Sequence, residues 1–255
     1  MFEDIVVSRV DAVGWIEIDR HDVANALRPQ SMMEICAGLD ELEADPDIGA
    51  IALIGRGRHF AAGGDFNFLR DTLVMPPVDI RDELYAHFQG VTRRLYRSGK
   101  PTLAAVNGAA VTIGAEIALA CDVRVGTATA RFDEGWIKIG LMPPLGGAML
   151  LPRIVGLALA KEMILEGRAV GGAEALAAGL LNEIVEVEAL RDRVQQRAMA
   201  MAALPRHAFR AAKEALHRGI ESTMEGEWAA NVMAQSLLLS SDDFKARLEA
   251  RSPAR

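Results

Sequence analysis

At 255 residues, 51% of them hydrophobic and 25% charged, the chain has the balance of an ordinary folded protein, which excludes a disordered or collagen-like one. A chain of this length hides roughly 70–75% of its unfolded surface, so its core needs no disulfide or structural metal. Its formal net charge of -7 argues against sequence-independent nucleic-acid binding, which needs a lysine- and arginine-rich face to replace phosphate counterions.

Cys36 and Cys121 lie far apart and form no framework, so the reducing cytoplasm is the expected compartment. Glu3 and Asp4 stand where a secretory leader would carry positive charge. Residues 103–120, the most apolar stretch, are interrupted by Asn107, Gly108, Gly114 and Glu116, and read as a buried strand and helix rather than a membrane span. The final Ser252-Pro253-Ala254-Arg255 is not a peroxisomal address. Arg93, Arg94, Arg97 and Lys100 read as a solvated helix face.

In chain order, two β-rich runs at residues 5–10 and 13–18 flank Asp11-Ala12 and predict a hairpin. From Pro29, which suits a first helical turn, Met32, Met33, Ile35, Leu39 and Leu42 recur near helical spacing. Residues 50–54 form a short apolar strand ending at Gly55. A helix over residues 80–96 leads through Gly99-Lys100-Pro101 to a strand at 102–106. A bend at Asn107-Gly108, a helix opening near Ile113 or Gly114, and a strand at 121–125 follow. This alternation predicts an α/β fold with buried strands. Beyond Leu151 the pattern is helical, with segments near 157–166, 173–179, 189–202, 206–217 and 222–239. The expected division is an α/β core over residues 1–195 and a helical region over 196–255, serving as a cover for the site or an oligomer interface.

Two segments carry chemistry. The first, residues 55–66, leaves its strand through small residues that let backbone approach a ligand, with Gly63-Gly64 free to aim an N–H inward. Its spacing is neither a Walker loop nor a dinucleotide fingerprint, and by composition alone it is a turn. The second, residues 105–122, holds Glu116 among Ile, Ala and Leu, where a carboxylate loses solvation unless it is paired or faces a cleft. The plainer alternative is a helix N-terminal acid held by the dipole, worth about 0.3–1 kcal/mol. His21 and His59 are expected at the surface or in hinges, Cys121 packs as a small hydrophobe, and no metal-ligand spacing occurs.

The AAGGD turn at 61–65, the VNGAAVTIGAEIALACD stretch, and FDEGWIKIGLMPPLGG followed by LPRIVG together resemble the successive signatures of the crotonase (enoyl-CoA hydratase/isomerase) family. The likeness begins at Asn25-Ala26-Leu27 and spans nearly the whole chain. It implies a spiral of ββα units with a helical C-terminal region, assembled as homotrimers or dimers of trimers. It also implies an acyl-CoA substrate, with coenzyme A as part of that substrate and no permanently bound cofactor.

Carried over by position, the resemblance implies oxyanion-hole amides at Gly64 and Ile113 and a catalytic carboxylate at Glu116. Two preorganised N–H donors match the charge that builds on a thioester oxygen better than they match its ground state. The second family glutamate falls on Trp136, whose indole exchanges no proton at neutral pH. Asp133 and Glu134 are close in sequence, but a shift of register would turn them elsewhere. Trp136 is therefore expected to wall an acyl pocket with Pro143, while Ala62, Asp65, Phe66 and Asn67 border the substrate. Arg28 and Ala61 are the expected contacts of the CoA moiety, with Arg58 and Lys213 as further candidates for its phosphates. Pro144 stands where aryl-CoA dehalogenases and some hydrolases of the family carry aspartate, which lowers both readings. Hydration or isomerisation leads. A CoA-ester hydrolase or C–C lyase and a catalytically silent acyl-CoA binder are the alternatives.

Overall fold

The computed structural model describes residues 2–251; residue 1 and the terminal tetrapeptide weighed above lie outside them. The chain divides after Ala202 into two compact units.

The first unit is built on a six-stranded sheet. β1 (Ile5–Val10) and β2 (Val13–Ile18) form the predicted antiparallel hairpin. After α1 (Pro29–Ala44), β3 (Ala50–Gly55) joins β2 in parallel. Then come α2 (Phe66–Asp71), a short α3 (Pro77–Asp79), a π-helical turn over Ile80–Leu84, and α4 (Tyr85–Arg97). β4 (Thr102–Val106) extends the parallel sheet, β5 (Ala109–Val111) leaves it, and α5 (Ile113–Ala120) leads to β6 (Val123–Gly126) beside β4.

Side chains of the central strands alternate between two cores. Ile16, Ile18, Ile51, Leu53, Ala104 and Val106 face the larger one, shared with α1, α4 and α5. Trp15, Ala50, Ala52, Leu103 and Ala105 face the smaller, against Leu190, Val194 and Ala198. Burial on both faces explains why β3 and β4 read as continuous apolar runs.

β7 (Arg131–Asp133) pairs in parallel with β5, and β8 (Ala169–Gly171) completes this second sheet. A 3-10 turn (Gly135–Ile139), α6 (Gly147–Val155) and α7 (Leu157–Leu165) lie between β7 and β8. After β8 come α8 (Gly172–Ala177), β9 (Glu183–Ile184) and α9 (Leu190–Ala202). The 195/196 division expected from sequence thus falls inside α9. Lys100 departs from the solvated helix face expected for it. It is buried, with its ammonium donating to the Leu42 and Asp45 carbonyls at the end of α1 at 2.5 and 2.7 Å.

The second unit contains α10 (Arg206–Gly219), α11 (Met224–Leu239) and α12 (Asp242–Arg251). Trp228, Val232, Met233 and Leu237 of α11 are all exposed.

Candidate active site

The register of the small sheet builds the site. Val111 pairs with Asp133, so the exits of β5 and β7 lie side by side, and the Thr112 N–H donates to the Asp133 carbonyl at 2.7 Å. α5 starts at one exit and the 3-10 turn at the other. Glu116, in the first turn of α5, and Glu134, at the exit of β7, therefore come to one place. Both are completely buried. A methyl group added to Gly147 would lie 3.0 Å from Glu116 Oε2 and 3.0 Å from Glu134 Oε1, so the two carboxyl groups flank one point of backbone.

Glu116 is well provided with donors. Oε2 accepts from the Leu145 and Gly147 N–H groups at 2.8 and 2.6 Å, the second at the start of α6, and Oε1 accepts from the Trp136 indole at 3.2 Å. Burial nevertheless outweighs these donors and raises the carboxyl from its ordinary 4.5 to about 7. Burial this complete removes the exposed helix-end reading. The Trp136 indole is itself buried and directed at the carboxylate, and Pro143 is buried nearby in sequence.

Neither oxygen of Glu134 has a hydrogen-bond partner among the described residues. Burial, then the charge of Glu116, then that of Asp133 raise its carboxyl well above the ordinary value, against an opposing pull from Trp136. Sequence reasoning expected this side chain to turn elsewhere. Its inward direction comes from the backbone at φ −90°, ψ 31°, which breaks the strand alternation after Asp133. The only sequence signal was the pair of acidic residues, Asp133 and Glu134, that follows Phe132.

The two residues expected to supply the oxyanion-hole amides lie close together. Leu27 donates to the Gly63 carbonyl and accepts from the Asp65 N–H, so the intervening Gly64 N–H points away from Leu27. Ile113 is the first residue of α5 and its N–H has no intrahelical acceptor. Among the described residues, neither N–H has a protein acceptor. A Cβ on Gly64 would sit 3.5 Å from Ile113 Cδ1, which fixes the closeness of the two residues. Thr112, just before Ile113, holds φ +46°, and Gly63, just before Gly64, holds φ +99°. Such backbone is costly for threonine and persists where its surroundings impose it.

The remaining expected residues divide. Ala61 is buried and donates to the Ala109 carbonyl, and Ala62 is half-buried. Asp65 caps α2, accepting from the Asn67 N–H at 2.9 Å, and pairs with Arg20 at 3.0 Å. Burial alone would raise its carboxyl, but Arg20 and the cap hold it below the usual range. Phe66 and Asn67 are exposed. Arg28 donates to both Asp4 oxygens at 2.8 Å and to Glu3 at 2.6 Å, so its charge is already balanced. A cleft of about 590 Å³ runs beside this turn, lined by Arg20, Arg28, Asp65, Asn67, Phe68 and Leu84 among others. Arg58 is exposed, and Lys213 belongs to α10 in the second unit.

An aromatic cluster was not legible. Phe68 and Phe88 stack at 5.4 Å, Tyr85 meets Phe88 edge-on at 6.4 Å, and burial followed by the charge of Glu116 raises the Tyr85 hydroxyl. Tyr85 directly follows the π-helical turn, a device common at functional sites.

The first unit thus carries two buried carboxyl groups, both raised above their ordinary value, and two backbone N–H groups without a protein acceptor among the described residues. The chain belongs to the enoyl-CoA hydratase/isomerase (crotonase) family: the model described as Enoyl-CoA hydratase/isomerase matches residues 8–253. It is an acyl-CoA-processing enzyme of that family, with the crotonase-like α/β fold and a helical C-terminal region expected from sequence. A Mycobacterium tuberculosis protein named "probable enoyl-CoA hydratase" is 37% identical over 223 residues, covering 88% of this chain and 84% of that protein. The 2,3-dehydroadipyl-CoA hydratase of Escherichia coli is 33% identical over 255 residues, covering 98% and 97%. The solved enoyl-CoA hydratase of Bacillus anthracis superposes with a TM-score of 0.88 at 27% identity, over 99% of this chain and 98% of that one.

Proposed function

We propose that this enzyme adds water across the C2–C3 double bond of an enoyl-CoA thioester, with the Gly64 and Ile113 amides receiving the charge on the thioester oxygen and Glu116 activating the water. The observation that carries this reading is Glu116 itself, completely buried in the first turn of the helix that Ile113 opens, with its carboxyl raised to about 7, where it is half ionised at neutral pH. A base with that value combines a usable ionised fraction with a real affinity for the proton. As Glu116 removes a proton from water, the oxygen attacks C3, the π electrons move toward C1, and negative charge collects between the two amides. Each such donor contributes on the order of 10²–10³ in rate, because its bond strengthens as charge develops.

Coenzyme A enters as part of the substrate. The cleft beside Arg28, Asp65 and Asn67 suits its polar portion, and the Phe68, Tyr85 and Phe88 wall suits the acyl chain, whereas the Ala61 N–H and carbonyl and the Ala62 N–H are already bonded to Ala109, Val111 and Ala24. Trp136 holds Glu116 and, with Pro143, closes the far side. The exposed apolar face of α11 supports a homotrimer or dimer of trimers, since such a face is normally covered.

The test is mass-resolved turnover of short, medium, branched and aromatic enoyl-CoA esters in heavy-oxygen water, with wild type and Glu116→Gln. Labelled 3-hydroxyacyl-CoA, falling about 10²–10⁴-fold in the variant, is expected. Unlabelled double-bond isomers, free CoA, or no turnover would replace this reading with isomerisation, thioester hydrolysis or lyase chemistry, or silent binding respectively.

A further inference from the structure

We propose that Glu134 is the second proton-transfer residue of this site, supplying from a position two residues before Trp136 the carboxylic acid that protonates C2 of the substrate. The assignment rests on the hydration reading above and deepens it.

Three observations carry it. Glu134 is fully buried, and both its oxygens are without hydrogen-bond partners among the described residues. A charged carboxylate in that state is very costly, whereas a protonated one costs far less. Its carboxyl and that of Glu116 flank the same Gly147 backbone. The pairing of Val111 with Asp133 keeps them there, because it fixes the two strand exits from which they project.

The two carboxyl groups also differ in what they are offered. Glu116 receives three N–H donors, which favour its ionised form, whereas Glu134 has none at hydrogen-bond distance and only the weaker pull of the Trp136 indole that already bonds Glu116. Two carboxyl groups this close share a single proton, and the unequal donors place it on Glu134. The charged and titratable groups around the pair sharpen this assignment. On its own strand Asp133 opposes ionisation of Glu134, while Asp133 is itself engaged by Arg131 at 2.6 Å and by Lys138 from the 3-10 turn at 3.4 Å. From α5 comes Glu116, and from α4 Tyr85 faces Glu116 as a neutral phenol.

Glu116 carboxylate takes a proton from water while the water oxygen forms its bond to C3 and the C2–C3 π pair passes into the enolate. Glu134 gives its proton to C2, the enolate pair becomes the new C2–H bond, and the thioester carbonyl re-forms. Glu116 is left protonated and Glu134 ionised; transfer of the proton back to Glu134 restores both groups, with one water consumed.

The experiment compares hydration by wild type, Glu116→Gln and Glu134→Gln across pH, with acyl-CoA binding followed by tryptophan fluorescence. For Glu134→Gln the expected result is a kcat lower by about 10²–10⁴-fold with acyl-CoA still bound. The fall in rate at high pH, where wild type loses the Glu134 proton, should also be absent. An inactive Glu116→Gln beside a Glu134→Gln with wild-type kcat and pH profile overturns the Glu134 assignment alone. Full activity in both variants, or no hydration by wild type, overturns the hydration reading and this assignment together. Should Glu134→Gln fail to fold, Glu134→Asp keeps the acid but withdraws it by one methylene, and an unchanged kcat in that variant also overturns the proposal.

Discussion

Of the three donors that hold Glu116, the Trp136 indole is the one that a substitution can remove without altering the backbone. A hydrogen bond to a charged group is worth about 1.5–3 kcal/mol, most of it favouring the ionised carboxyl. Trp136→Phe should therefore raise the Glu116 midpoint and move the rising limb of the rate profile to higher pH by about one unit, with a smaller effect at pH 9. A profile that keeps its midpoint would show that the indole does not hold the base. Glu116 was legible in the sequence because a single carboxylate among eight helical residues, otherwise Ile, Ala, Leu and Gly, has no structural reason to be there. Glu134 was not, since strand alternation cannot say where a side chain points once the backbone leaves the strand.

At the scale of elements, the site depends on how tightly the first turn of α5 sits against the exit from β3. A Cβ added at Gly114 would lie 2.7 Å from the Ala61 carbonyl oxygen, a backbone atom that cannot swing aside. Gly114→Ala should thus push α5 from the segment that carries Gly64, costing about 1–3 kcal/mol of stability. If the two amides part company, kcat should also drop by about 10²–10³ while acyl-CoA binding changes little. Chemical denaturation and steady-state kinetics on the one variant read both effects; a fall in binding alone would contradict the geometry. The hairpin, α1, β3, β4 and α5 were readable from periodicity and turn residues, and β3 and β4 were readable because they are buried on both faces. The small sheet was missed, because strands of three residues such as β5, β7 and β8 are too short to show a period. That omission hid Glu134, whose place is set by the β5–β7 register. The π-helical turn was also hidden, since an extra residue in one turn barely disturbs the pattern expected over 80–96.

For the whole molecule, two buried carboxyl groups raised above their ordinary value are a liability in stability. In the unfolded chain Glu116 titrates near 4.5 and in the folded protein at about 7, so between these values the folded state binds the extra proton. Stability should consequently fall as pH rises from about 4.5 to about 7, by on the order of 3 kcal/mol for Glu116, with Glu134 adding to the decline above about 4.5. Below that window the opposite sign applies. Asp4 and Asp65 have lowered carboxyls, and the stability they lend is lost as pH falls through their folded values. Glu134→Gln should accordingly melt above wild type at pH 8 and close to it at pH 4.5, which thermal unfolding at the two pH values reads directly. Such a stability cost at the reacting centre is what a site poised for proton transfer would retain. The most direct test is to follow the Glu116 carboxyl carbon by NMR in protein labelled with carbon-13 glutamate, assigning the signal by its disappearance in Glu116→Gln. The expected midpoint is near 7, which would leave a half-ionised base in the buried site at neutral pH; a midpoint near 4.5 would contradict the account.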